Sequence, residues 1–219
     1  MSVKQLTANI LLIVCRQKPK SIRCSCLTKG GFVCIIKTMR KILLHSCCGP
    51  CSTVCIERLK ETFDVTVFYC NPNVEPFEEY QKRKEEQQKV CQHFGIPFVD
   101  CDYENDLWHK FVEGLENERE GGARCTKCFF FRLEKTAQYA KENGFDLFGT
   151  TLSVSPHKNT NVINMVGEEI SKKIDLEFLP ESFKKKDGYL RSINLSKDLD
   201  LYRQNYCGCN FARRADEHI

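Results

Sequence analysis

The chain has 219 residues, a formal net charge of +4, 42% hydrophobic and 28% charged residues, and 15 cysteines. This composition specifies a folded domain and excludes a disordered, fibrous or collagen-like chain. The longest apolar run, residues 10–15, is far shorter than the roughly 20 residues that span a bilayer, so no membrane partner is expected.

The first 38 residues stand apart. They hold seven basic residues and no acidic one, whereas residues 39–219 carry 26 basic against 29 acidic, a net of −3. The positive charge resides in this leader and gives no argument for a nucleic-acid partner. The leader, with Cys15, Cys24, Cys26 and Cys34, is expected to be disordered or to precede a true start at Met39. A transit peptide is the other account; acid-free composition suits it and the cysteines do not. Residues 39–219 are expected to form a single domain.

Residues 41–46 read as a buried strand and 51–62 as a helix, with Pro50 pre-set for its first turn. A second strand spans 65–69, and Asn71-Pro72-Asn73 is a turn. Residues 75–94 form a long helix, charged outside, with Phe77, Tyr80, Cys91 and Phe94 near one face and Gly95 at its end. A short strand covers 97–100 and a helix 106–115. Gly121-Gly122 breaks the chain before Cys125, and residues 126–142 form a helix. Residues 145–152 form a fourth strand, 158–173 a helix and 176–179 a fifth strand. This alternation predicts an α/β fold with a mainly parallel sheet flanked by helices. Ligands of such sheets lie beyond the carboxyl ends of the strands.

Eleven cysteines lie in the body, and most cluster. The groups are Cys47-Cys48-Gly49-Pro50-Cys51, Cys125-Thr126-Lys127-Cys128 and Cys207-Gly208-Cys209. A disulfide-stapled secreted domain would be shorter and loop-rich. Clustering in a long periodic chain points instead to metal or redox chemistry in a reducing compartment, the cytoplasm.

Cys47 and Cys48 follow the first strand, where a helix N-terminus favours thiolates. The pair Cys125 and Cys128 could bind zinc, bind iron–sulfur or form a redox pair. Together the two pairs supply four thiolates, the count for a [4Fe-4S] cluster or a closed zinc site. One pair is adjacent and follows a core strand, which tilts the reading to iron–sulfur. Cys207 and Cys209, one glycine apart, could close a strained and therefore labile disulfide; a structural turn or further metal ligands are the alternatives.

Cys51 is near enough to be a spare ligand for a second metal. Cys55, Cys70, Cys91 and Cys101 read as packing residues. His45 could be a ligand, an acid or a hydrogen-bonded strand histidine. The loop 153–158, with His157 and Lys158, suits a polar substrate or a phosphate. Basic residues of the 184–214 stretch (Lys184, Lys185, Lys186, Arg191, Arg203, Arg213, Arg214) interleave with Tyr189, Tyr202, Tyr206 and Phe211. That pattern suits RNA contacts, although a charge run is more often a solvated face.

Four strings together, from His45-Ser46-Cys47-Cys48-Gly49-Pro50-Cys51-Ser52 through Gly121-Gly122-Ala123-Arg124-Cys125 with Cys128 and Ser155-Pro156-His157-Lys158-Asn159 to Tyr202-Arg203-Gln204-Asn205-Tyr206-Cys207-Gly208-Cys209, closely resemble the QueH-type epoxyqueuosine reductases. The resemblance runs from about Met39 to Phe211 and omits the leader. It implies a Rossmann-like domain that reduces epoxyqueuosine to queuosine at the wobble position of tRNA. By motif match Cys47, Cys48, Cys125 and Cys128 would hold a [4Fe-4S] cluster at the strand C-terminal edge. Cys207 and Cys209 would be the redox-active pair, disulfide in one state. Members can hold one iron beside the cluster, for which Cys51 is the candidate ligand. His157 or His45 could supply a proton. The implied partners are tRNA carrying epoxyqueuosine and an unidentified electron donor. Phe129-Phe130-Phe131 is expected to pack beneath the cluster. A zinc-bearing structural or RNA-binding module and a cluster-free thiol–disulfide oxidoreductase are the competing classes.

Overall fold

A computed structural model describes residues 22–25 and 35–212. The chain divides into a unit of residues 1–40 and one of residues 41–219. In the first, β1 (Ile22–Ser25) pairs antiparallel with β2 (Ile35–Thr38). Other leader positions, and Arg213 and Arg214 of the basic stretch, lie outside the described residues.

The body is built on a five-stranded parallel sheet of β3 (Arg40–Ser46), β4 (Phe63–Tyr69), β5 (Phe98–Asp100), β6 (Leu147–Thr150) and β7 (Glu177–Phe178). The strand order is β5-β4-β3-β6-β7. Leu44 lies opposite Gly149, and Tyr69 opposite Asp100. The flanking helices are α1 (Gly49–Leu59), α2 (Phe77–Phe94), α3 (Asn105–Val112), α4 (Ala123–Glu142), α5 (Thr160–Ile174) and α6 (Gly188–Asp198). This is the expected α/β, Rossmann-like architecture. Among the described residues no helix is long and apolar enough to cross a membrane.

Strand periodicity divides the core in two. Ile42, Leu44, Val65, Val67 and Leu147 point to one face, where they meet Val54, Cys55 and Ile56 of α1 and Val90 and Cys91 of α2. Leu43, Phe68 and Phe148 point to the other, against Leu133, Ala137 and Ala140 of α4 and Ile163, Val166 and Ile170 of α5. Each Val, Leu, Ile or Phe among them, fully buried, contributes roughly 1.5–3 kcal/mol. After β3 the chain turns to the first face and after β6 to the second. The gap between these neighbouring strands is the topological switch point, where open sheets bind ligands.

Three elements depart from the sequence expectation. The helix at 75–94 is not charged outside on every side, because Arg83, Glu86 and Gln87 are buried beside Tyr80 while Phe77 is 47% exposed. Its N-terminal half faces the polar end of the sheet rather than the apolar core. The fourth strand stops at Thr150, whose hydroxyl accepts from the Leu152 N–H, and residues 151–154 tighten into a 3₁₀ turn. Helix α6 was not anticipated. Its buried face carries Ser192 and Ser196 beside Leu195, and the serine hydroxyls are satisfied by the carbonyls of Tyr189 and Ser192. Small polar residues on the inner face erased the apolar period.

Candidate active site

The end of β3 runs directly into α1, and the first cysteine group occupies that junction. Pro50 sits in the first turn of α1. Gly49 is required because a Cβ there would lie 2.8 Å from the carbonyl oxygen of Glu86 on α2. The sulfurs of Cys47 and Cys48 are 3.8 Å apart. Cys51, one helical turn on, completes a trio whose sulfurs all lie within 4.8 Å of one another. Three thiols this close can share one metal centre.

Electrostatics single out Cys47 within the trio. Hydrogen bonds from the Cys48 and Cys51 thiols hold it well below the ordinary thiol range, against burial, and Lys158 and Thr151 add to the effect. Giving its hydrogen bond to Cys47 pushes Cys48 up to about 11. The same interaction raises Cys51. Within the trio negative charge is favoured on Cys47.

The trio opens onto a cavity of about 680 Å³. Its wall includes Pro156, His157 and Lys158 from the loop after β6, and Arg203, Tyr206 and Cys207 from the C-terminal segment. Burial disfavours the Lys158 ammonium, yet Cys207, Cys47 and Cys51 raise its pKa above the ordinary lysine value. His157 is exposed at the rim.

Cys207 and Cys209 are both free thiols, Cys207 half-buried on the cavity wall and Cys209 buried. A hydrogen bond from the Cys209 thiol holds Cys207 well below the ordinary thiol range, against burial, and Lys158, Arg132 and Arg83 reinforce it. Gly208 between them has φ +104°, a backbone setting suited to glycine. The loop is strapped to α2. Arg83 Nη1 donates to the Cys207 carbonyl at 2.9 Å, its Nε donates to Glu79 at 2.6 Å, and the Glu75 N–H donates to the Gly208 carbonyl at 2.9 Å.

Cys125 and Cys128 lie in the first turns of α4. Cys125 accepts from the Gly121 N–H at 3.2 Å. Cys128 is buried in a cluster with Trp108 and Cys209. Burial raises both thiols. Among the described residues, their sulfurs do not join the spacing of the Cys47, Cys48 and Cys51 trio. The phenylalanines after Cys128 diverge: Phe129 and Phe130 pack in the α4 and α5 core, Phe131 against Trp108 and Phe111.

His45 is the strand histidine of the three options. It is wholly buried, its Nε2 3.1 Å from the Cys70 carbonyl and its Nδ1 2.9 Å from the Thr150 hydroxyl. The carbonyl can only accept, so Nε2 carries the proton and Nδ1 accepts from Thr150. Burial and then Arg132 lower its pKa to about 3. Two residues escaped the sequence reading altogether. Arg83 and Arg132, each 2% exposed, reach the cavity. No sequence signal marks them, because a charged residue on a helix usually faces solvent.

Comparison with known proteins places this geometry. The family model for epoxyqueuosine reductase QueH matches residues 42–215. The chain belongs to that family. The QueH epoxyqueuosine reductase of Streptococcus pyogenes is 44% identical over 179 residues, 79% of this chain and 70% of that protein. The QueH of Thermotoga maritima is 37% identical over 185 residues, covering 82% of this chain and 95% of that one. Among solved structures, the tRNA thiolase NcsA of Methanococcus maripaludis, solved with its [4Fe-4S] cluster, aligns with a TM-score of 0.52 at 14% identity, over 81% of this chain and 63% of that one. A predicted tRNA methyltransferase subunit of Methanocaldococcus jannaschii aligns at 0.51 with 12% identity, over 73% of this chain and 75% of that one. These two likenesses concern the fold. As a QueH family member the chain is an oxidoreductase.

Proposed function

We propose that this protein reduces epoxyqueuosine to queuosine at the wobble position of tRNA, in the cytoplasm, with an iron–sulfur group of the [4Fe-4S] type and the Cys207 and Cys209 dithiol. The observation that carries the reading is the convergence of Cys47, Cys48, Cys51 and Cys207 on one cavity at the switch point of the sheet. The eleven body cysteines are free thiols, which suits a reducing compartment.

The residues fit such a group. Soft thiols surround the cavity, and buried N–H donors of Arg132 and Arg83 there lack partners. Cys47, Cys48, Cys125 and Cys128 are the proposed cluster ligands, with Cys51 serving one adjacent iron. Bound there, the group would supply one-electron transfer and an iron able to polarise the epoxide oxygen. The chain's own residues do the rest. Tyr206, with Arg83 over one face, and Tyr189, with Arg203 over one face, line the cavity wall as aromatic and cationic contacts for the RNA. Cys207 faces the substrate as the thiolate and Cys209 keeps its proton behind it. Loss of the epoxide oxygen as water takes two electrons and two protons. The Cys207 thiolate and the Cys209 thiol supply both electrons and one of the protons by joining as a disulfide, which an external reductant then reopens; the second proton comes from a donor in the site. His157 at the rim is the proposed proton donor.

Anaerobic purification followed by iron, sulfide and zinc analysis, then an assay on tRNA bearing epoxyqueuosine, tests the reading. About five irons, four in the cluster and one beside it, and four sulfides per chain with queuosine formation are expected. Zinc without sulfide, or a Cys209→Ala protein that turns over repeatedly, overturns it.

A further inference from the structure

Arg132 is a buried charge on the wall of the cavity. It lies one turn beyond Cys128 on α4 and is 2% exposed. Its Nη1 donates to Asn71 Oδ1 at 3.0 Å. Asn71 is held in turn, since its Nδ2 donates to the Ser46 carbonyl at 2.8 Å. The remaining guanidinium nitrogens, Nε and Nη2, are buried with no partner. Among the described residues no carboxylate forms an ion pair with Arg132.

A guanidinium does not shed its proton inside a protein. Burying it unpaired is strongly unfavourable, and each unsatisfied donor adds to that. The electrostatic neighbours that favour its charge are Cys128, Cys207, Cys47 and Cys70. It therefore stands between all three cysteine groups. Other buried arginines are spent differently. Arg124 also has an Nε and Nη2 without hydrogen-bond partners, but it stacks on the Phe211 ring and gives Nη1 to the carbonyls of Leu115, Glu116 and Glu118, and Arg83 straps the Cys207 loop to Glu79.

We infer that Arg132 is the buried counter-cation of the iron–sulfur group, its free Nε and Nη2 donors hydrogen-bonding the sulfur atoms and so setting how tightly the group is held and at what potential. Four thiolates around a [4Fe-4S] core leave a net negative charge, which a fixed guanidinium offsets. Hydrogen bonds to cluster sulfurs favour the reduced, more negative state and raise the potential. The inference rests on the cofactor reading above and adds a residue to it.

The test compares full-length wild type, Arg132→Met and Arg132→Lys, all reconstituted without air. Two readouts are followed: the rate at which a chelator bleaches the visible absorption, and the midpoint potential from a titration monitored by electron paramagnetic resonance. Arg132→Met is expected to lose the group about tenfold faster and to show a more negative potential. Arg132→Lys, which keeps charge and loses the fork, is expected to lie between. Wild-type behaviour of Arg132→Met in both readouts overturns the inference while leaving the cofactor reading intact. If Arg132→Met does not fold, wild-type retention and potential in Arg132→Lys overturn it instead. Wild-type protein that takes up iron without sulfide overturns the cofactor reading and this inference together.

Discussion

Cys47 and Thr151 are joined twice across the centre of the sheet. The Thr151 hydroxyl accepts from the Cys47 N–H at 3.2 Å and donates to the Cys47 sulfur at 3.5 Å. The contact follows from topology. His45 of β3 pairs with Thr150 of β6, so the next residues of both strands emerge together at the switch point. One hydroxyl can accept and donate at once, and here it fixes both the backbone and the sulfur of the thiolate.

Thr151→Val keeps shape and removes the hydroxyl. It leaves the Cys47 N–H unsatisfied in a part-buried place, at a cost of about 1–2 kcal/mol. The expected outcome is a lower denaturant midpoint and less iron per chain after identical reconstitution, with Thr151→Ser restoring both. Unchanged midpoint and iron content in the valine variant rule the double bond out as a support of the site.

How far the sequence foretold this site follows from what each residue type reveals. Strands were legible because Ile42, Leu43 and Leu44 serve two apolar faces at once. The cysteine groups were legible because clustered thiols are rare without a chemical reason. Cys51 reads as a spare ligand, and helical spacing after Pro50 puts its sulfur beside those of Cys47 and Cys48. Arg83, Glu86 and Arg132 were invisible, since burial of a charge depends on what tertiary structure brings opposite it. Asn71 read as a turn residue, and it is also the clamp between Ser46 and Arg132. Pairings separated by tens of residues leave no local trace.

Gly208 makes the loop between the two C-terminal thiols sensitive to a single carbon. Its φ is +104°, and a Cβ would lie 2.6 Å from Arg83 Nη1. Arg83 cannot yield easily, because it is buried and bonded to both Glu79 and the Cys207 carbonyl. Gly208→Ala should therefore displace the loop and cost about 1–3 kcal/mol. Misplacement of a reacting group by about 1 Å can lower turnover about 100-fold, and a loss of that order is expected on epoxyqueuosine-bearing tRNA. Thiol counting after mild oxidation checks the cause: the alanine variant should close the Cys207 to Cys209 disulfide more slowly than wild type. Wild-type closure and turnover in that variant refute the strap.

Helix α6, which covers the α1 face, is tied to it by a two-pronged ion pair. Arg191 Nη2 donates to Glu57 Oε1 at 2.6 Å and Nε to Oε2 at 3.1 Å. The hydrogen bonds and charge of Arg191 hold the Glu57 carboxyl below its ordinary value of 4.5, against slight burial. Both side chains are partly exposed, so solvent screening keeps the pair's contribution small. A depressed carboxylate pKa gives stability that is present in full above the unfolded value and lost as pH falls through the folded one. Arg191→Ala should therefore lower the denaturant midpoint at pH 7, and the gap from wild type should narrow once pH falls below the ordinary carboxylate value and close as pH passes through the lowered Glu57 value. Added salt at pH 7 should narrow it as well. A gap that persists unchanged at low pH would assign the loss to packing of the arginine stem and not to the ion pair.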